Sequence, residues 1–221
     1  MPIPVHAFAH RPLTAAAVAE LVALPAELHI HYDDVEAVIL QRGWSWEHDL
    51  VCDSFRTGYG HVLCAEGGNP FGQPEARRFL VFGEVYPVDP DDESMTNGPW
   101  LYGLMDDWQE QAGWSGRRTG TDQDCEYVLA QAARAVTEYL GSAPERTILS
   151  SAAVVTGPAL THRVWRTRTH ALVLGPAADN GPYGYLTHLQ LSYTPLGCGP
   201  DLPREEDEDG LARWITAHVD W

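Results

Sequence analysis

The chain has 221 residues and a formal net charge of −17, and all 14 of its basic residues are arginine. The missing lysine excludes Schiff-base chemistry, a pyridoxal lysine, the Walker phosphate-binding lysine and the kinase strand lysine, because each needs an ammonium group that arginine does not replace. The strong negative charge disfavours direct binding to nucleic acid or to an anionic membrane and favours a cationic partner.

The first part of the chain predicts two helices followed by strands. The helices span residues 14–24, with Thr14 as N-cap, and 33–43. Alternating residues on both sides of a turn at 57–60 predict a β-hairpin, and ARRFLVFGEVY at 76–86 predicts a third strand.

The second part begins with a segment, Pro87 to Thr121, that has no sustained period and resembles an insertion, although Pro99 to Gln111 is compatible with a helix. A long amphipathic helix over 122–140 follows it, opened by a capping box. HRVWRTRTHALVLG and YGYLTHLQLSY then predict two antiparallel strands, and LARWITAHV predicts a last helix.

These elements predict one α+β domain over residues 1–221. Strands that follow each other without crossover helices favour an antiparallel sheet, here of about five strands covered by helices on one side. The expected order is α-α-β-β-β-(insertion)-α-β-β-α.

The cysteine pattern and the N-terminal residues indicate the cellular compartment of the protein. The four cysteines are scattered and lack C-x-x-C spacing, so we interpret them as reduced thiols. The N-terminal residues lack the basic start and clean apolar run of a secretory signal, and no apolar stretch approaches the roughly 18 residues of a membrane span. These features predict a cytoplasmic protein that binds no membrane.

Motifs for catalysis and for metal binding are weak. His29, His31 and Asp33 would share one face of an extended strand and could hold a metal ion, but polar residues leading into a capped helix produce the same pattern, which we favour. No G-x-S-x-G, H-E-x-x-H or glycine-rich phosphate loop is present, and Cys125 is flanked by acids, as expected of a structural thiol. We assign no catalytic residue, metal or cofactor.

The acidic residues are concentrated in two segments. Residues 87–126 carry a net charge of −8 and three tryptophans, and residues 200–221 carry a net charge of −5. Such clusters either remain solvated or bind a cationic partner, for which tryptophans would supply apolar anchors. The alternative is that the tryptophans fold inward to the core. The residues assigned to partner binding are Asp89, Asp91, Asp92, Glu93, Trp100, Asp106, Asp107, Trp108, Glu205, Glu206, Asp207, Glu208 and Asp209.

The segment DDVEAVILQRGWSW, the helix ending YLGSAP and the strand RVWRTRTHALVL together resemble small actinobacterial domains. Those domains belong to the broader kind that includes type III secretion chaperone-like folds and immunity proteins of polymorphic toxin systems. The resemblance covers about residues 33–218 and is carried by packing and capping residues, namely Asp33, Asp34, Val35, Gly43, Trp44, Leu140, Gly141, Trp165 and Arg166. It implies a binding protein without enzymatic activity and carries over no functional residue.

The leading hypothesis is therefore an acidic, immunity-type inhibitor of a basic toxin. A second hypothesis is a small enzyme or anion-binding protein that uses Arg166, Arg168, His170 and His188 on the sheet face. A third is a homodimer through the face of the helix at 122–140, as in secretion chaperones.

Overall fold

The computed structural model describes residues 5–24, 32–47, 54–66, 71, 75–88, 99–150, 159–178, 187–199 and 201–220. The strands are β1 Val5–His10, β2 Ser45–Glu47, β3 Ser54–Arg56, β4 Val62–Ala65, β5 Arg78–Val88, β6 Ser115–Gly120, β7 Arg146–Leu149, β8 Thr161–Arg166, β9 His170–Ala178 and β10 Thr187–Pro195. The α-helices are α1 Ala15–Val22, α2 Tyr32–Gln41, α3 Pro99–Gln109, α4 Asp122–Leu140 and α5 Glu208–Val219, and a 3₁₀ turn spans Leu196–Cys198.

All described strands belong to one antiparallel sheet. Eight of them run in the order β2-β3-β4-β5-β10-β9-β8-β7, and the long β5 also pairs beyond β4 with β1, which in turn pairs with β6. Each half of the chain supplies a four-strand meander, β2–β5 and β7–β10, and the two meanders meet where β5 pairs with β10.

The α+β class and the antiparallel sheet are confirmed, but the predicted strand number and order are wrong. The sheet has ten strands among the described residues rather than about five. The HRVWRTRTHALVLG segment forms two strands, β8 and β9, because a tight turn at 167–169 reverses the chain. Thr167 closes that turn, with its N–H donating to the carbonyl of His170 at 2.8 Å. No glycine, proline or asparagine marks the turn, so the sequence pattern did not reveal it.

Helices cover the sheet on both faces, whereas the sequence predicted one. On the first face, α1, α2 and α4 bury the main core, which includes Val18, Ile39, Phe82 and Leu129. On the second face, α5 packs Trp214 and Ile215 against β8 and β9, and α3 packs against β1 and β5. The second-face core exists because β9 is apolar on both faces, with Leu172 and Leu174 in the main core and Val173 under α5. The neighbouring β10 instead presents buried polar side chains to α5, where Gln190 and Thr194 donate to the carbonyls of Val219 and His218.

The helices predicted at 14–24, 33–43 and 122–140 and the last helix are confirmed as α1, α2, α4 and α5, and Thr14 is the N-cap of α1. The capping box of α4 is present: the Thr121 hydroxyl accepts from the N–H of Asp124, whose carboxylate accepts from the N–H of Thr121. Gly141 then ends α4 in the left-handed conformation, with φ of 70°. The predicted hairpin is also confirmed as β3–β4, with the turn at 57–60 held by the Gly60 N–H bond to the carbonyl of Thr57.

Four strands that the prediction did not count, β1, β2, β6 and β7, account for the rest of the difference, and the segment from 87 to 121 is not a simple insertion. It contains the end of β5, the helix α3 and the strand β6, which extends the sheet beside β1. β6 reads SGRRTG and has exposed side chains along most of its length, so its sequence lacks the apolar alternation that signals a strand.

Candidate functional site

Part of the first acidic segment, residues 89–98, lies outside the described residues. Asp89, Asp91, Asp92 and Glu93 fall outside the described residues, as does the side chain of Trp100, which lies in α3.

The described members of that segment are partly engaged within the chain. Asp106 binds Arg118, with Oδ2 and Nη2 2.7 Å apart, and Asp107 is exposed. Trp108 is half-buried against the second-face core, its ring 4.2 Å from that of Trp114. Trp114 is 5% exposed and donates its Nε1–H to the carbonyl of Gly60 at 2.9 Å. These two indoles close the core around α3, which limits what they can offer a partner.

The acids that begin α4 stabilise the fold. Asp122 accepts from His6 Nε2 at 2.7 Å, and Asp124 caps the helix and pairs with Arg117. The hydrogen bonds from Thr121 hold the pKa of Asp124 below its usual value, with Arg117 adding to the effect. Glu126 pairs with Arg163 and accepts from the N–H of Thr161. These carboxylates are therefore held in hydrogen bonds or ion pairs within the chain.

The second acidic segment is less engaged within the chain, although Glu205 lies near Arg146. Glu205, Glu206, Asp207, Glu208 and Asp209 are all exposed. Asp207 is the N-cap of α5, and its carboxylate accepts from the N–H of Gly210 at 2.9 Å. The acids of the first turn also suit the positive end of the helix. We call these five residues the C-terminal acidic cluster.

A groove with a volume of about 600 Å³ borders the C-terminal acidic cluster. It lies between the strand β7 and the helix α5 and combines an apolar floor with charged groups at its rim. Its lining residues are Arg146, Thr147, Ile148, Leu149, Glu205, Glu208, Leu211, Ala212 and Ile215. We call it the β7–α5 groove.

Negative side chains outnumber positive ones in the lining of the β7–α5 groove. Arg146 lies 3.7 Å from Glu205, measured from Nε to Oε1, and Glu205 remains 75% exposed. The pair is thus loose, and Glu208 adds a second carboxylate to the groove lining. Sequence reasoning found the acids but missed the apolar groove residues, since β7 and α5 are far apart in the chain.

The residues proposed for an anion site on the sheet face do not come together. Arg166 pairs with Glu145, with Nε and Oε2 2.8 Å apart, and Arg168 is exposed in the turn before β9. His170 stacks on Tyr193 with ring centroids 4.1 Å apart. His188 lies near the other end of β10, about 24 Å along the strand from the residue opposite His170.

His188 instead forms a buried pair with Glu84 in the centre of the sheet. His188 Nδ1 and Glu84 Oε1 are 2.6 Å apart, and the two side chains are 0% and 2% exposed. Glu84 was not singled out from the sequence, although a carboxylate inside the apolar run FLVFGEVY is a usable signal. Burial and the nearby Glu84 and Asp107 carboxylates raise the pKa of Tyr86 far above its usual value.

The last candidates from the sequence are the metal ligands His29, His31 and Asp33 and the thiol of Cys125. His29 and His31 lie outside the described residues, as does the Asp33 side chain. Where the structure describes the chain, no three His, Cys, Asp or Glu residues are grouped to hold a metal ion. Burial raises the pKa of Cys125 to about 12, with Asp122 and Asp124 adding to the shift, so this thiol is structural.

The face of α4 proposed for a homodimer is occupied. Its apolar stripe, which includes Val128, Leu129, Ala132 and Val136, is buried inside the chain. A dimer through this stripe would require α4 to leave its own core, so the buried stripe does not support the third hypothesis.

Comparison with protein-family models, with curated proteins and with solved structures finds no match to this chain. Within the described residues, no helix combines the length and the apolar character needed to cross a membrane.

Proposed function

We propose that this chain is a non-enzymatic acidic binding protein that inhibits a basic protein, in the manner of an immunity protein that covers the active surface of a toxin. The observation that carries the proposal is the C-terminal acidic cluster beside the β7–α5 groove. All five carboxylates are exposed, and Glu205 and Glu208 line the partly apolar groove. A protein interface of this composition attracts a cationic partner by its charge and holds it by apolar burial.

The net charge supports the same conclusion. A charge of −17 repels phosphate groups and other acidic surfaces, and it accelerates encounter with a basic protein at low ionic strength. Basic nucleases present a cationic surface to their substrate phosphates, and carboxylates placed on that surface would occupy the phosphate positions. We therefore place the proposed binding site at the C-terminal acidic cluster, whose carboxylates are exposed, and not at the tryptophans around Trp108.

A growth-rescue assay tests the proposal. The probe is the basic protein whose gene adjoins the gene of this chain, expressed in a bacterial host with and without it. We expect the neighbour alone to arrest growth and co-expression of this chain to restore it. The variant Glu205→Gln, Glu206→Gln, Glu208→Gln, Asp209→Asn should rescue less well, because it removes four charges and keeps the Asp207 cap.

A matched control separates the effect of the C-terminal acidic cluster on rescue from the effect of the overall net charge. The variant Asp34→Asn, Glu36→Gln, Glu75→Gln, Glu138→Gln also removes four exposed carboxylates, but from other surfaces. We expect this control to rescue as the unmodified chain does. A neighbour that is acidic or harmless, or equal rescue by both variants, would contradict the proposal.

A further inference from the structure

The strand β7 exposes one of its backbone edges. Among the described residues, its only strand neighbour is β8. The N–H of Ser150 donates to the carbonyl of Leu160, and Ile148 is opposite His162 two positions earlier. Because hydrogen-bonded positions alternate in an antiparallel pair, Ile148 bonds to β8, and Thr147 and Leu149 direct their N–H and C=O groups away from it.

Side chains beside this edge offer an apolar surface on each face of the sheet. Leu149 is 67% exposed and lies on the face opposite α5. On the α5 face, Ile148 packs against the buried cluster that contains Trp214 and Ile215, at the floor of the β7–α5 groove. A strand added to β7 would cover Leu149 on one face and the groove on the other, since its side chains alternate.

The charge at this edge selects the occupant. Glu205 and Glu208 line the groove and suit arginine or lysine side chains whose aliphatic stems lie over Leu211 and Ile215. A second copy of this chain would bring another C-terminal acidic cluster to the same edge, and the two copies would repel each other. Charge complementarity therefore favours a basic segment of another protein.

We infer that β7 binds an extended basic segment of the partner as an additional antiparallel or parallel strand, with basic side chains over the β7–α5 groove and aliphatic side chains beside Leu149. The inference rests on the proposed function and names how that partner is held. Main-chain hydrogen bonds to Thr147 and Leu149 supply the register, and the C-terminal acidic cluster supplies the preference for positive charge. Since β7 has four residues, the added strand is short.

A capped heptapeptide of alternating arginine and valine is the probe. We expect it to bind the full chain and to slow amide hydrogen exchange at Thr147 and Leu149. A glutamate–valine peptide should not bind, and an arginine–valine peptide N-methylated at alternate residues should bind about tenfold more weakly, because it loses main-chain hydrogen bonds.

Two substitutions at one position provide the matched test. Thr147→Pro removes an N–H that points away from β8 and so leaves the β7–β8 pairing intact, while Thr147→Ala keeps the N–H. We expect about tenfold weaker peptide binding for Thr147→Pro and unchanged binding for Thr147→Ala. The exchange measurement on the unmodified chain stands independently if the proline variant proves unstable.

The outcomes separate this inference from the proposed function. Peptide binding without protection at Thr147 and Leu149, or equal binding by the two Thr147 variants, would overturn strand addition. If growth rescue still depends on the C-terminal acidic cluster in that case, the proposed function stands. Concentration-dependent dimers that Thr147→Pro abolishes would show that a second copy occupies the edge and would also overturn the inference.

Discussion

Replacing His188 with alanine should destabilise the folded chain by about 3–5 kcal/mol. His188 and Glu84 are directly opposite each other on β10 and β5, where the two meanders meet, and both are fully buried. Removal of the imidazole leaves the Glu84 carboxylate in the centre of the sheet without its 2.6 Å partner. Chemical denaturation monitored by tryptophan fluorescence measures the loss.

An exposed ion pair serves as the control for this experiment. Glu145→Ala breaks the Arg166 pair, which is about 40% exposed on each side, and should cost no more than about 1 kcal/mol. Replacing Glu84 and His188 together by leucine should cost less than the sum of the single alanine losses, because neither the carboxylate nor the imidazole then remains buried without the other. A loss below about 1 kcal/mol for His188→Ala would refute the role assigned to the pair.

Acidification from pH 7 to pH 4 should remove about 3 kcal/mol of stability through each of His61 and His162. Burial lowers the pKa of both imidazoles to about 4, and nearby arginines contribute to the shift. His61 donates to the carbonyl of Pro12 at 3.1 Å, and His162 donates to that of Pro176 at 2.7 Å. These hydrogen bonds raise the pKa of each imidazole, but burial has the larger effect and lowers it.

The direction of this pH dependence follows from the pKa of histidine in the unfolded chain. In the unfolded chain a histidine has a pKa of about 6.5, so between pH 6.5 and 4 the unfolded state binds protons that the folded state does not. The stabilisation is complete above pH 6.5 and is lost as the pH falls towards 4. Denaturation curves at successive pH values should show this, with a shallower slope in His61→Gln. Equal slopes in the variant and the unmodified chain would contradict the assignment.

Local signals in the sequence predicted the elements that are stabilised locally. Thr121 and Asp124 are three residues apart and satisfy each other, so the start of α4 depends on no distant contact. The same holds for Gly141 at its end and for the turn closed by Gly60. In contrast, β1 is a strand because it pairs with β5 and β6, and β6 is a strand because it pairs with β1; such pairing leaves no local signature.

The candidate site, too, was predictable from the sequence only in part. The exposure of Glu205 to Asp209 follows from their charge and was predictable. The groove beside them was not, because it requires Ile148 on β7 to face Leu211 and Ile215 on α5, across a long stretch of chain. The burial of Trp114 also depends on a distant carbonyl, that of Gly60, so sequence alone left open whether the indoles were anchors or core.

The rate at which this chain associates with the basic protein of the growth-rescue assay tests the central claim most directly. Rate constants should be measured against ionic strength for the unmodified chain, for the four-residue variant of the C-terminal acidic cluster and for its charge-matched control. The account predicts a rate that falls steeply with salt and is about tenfold slower at low salt for the cluster variant than for the control. Rates that are independent of salt, or equal for the two variants, would contradict it.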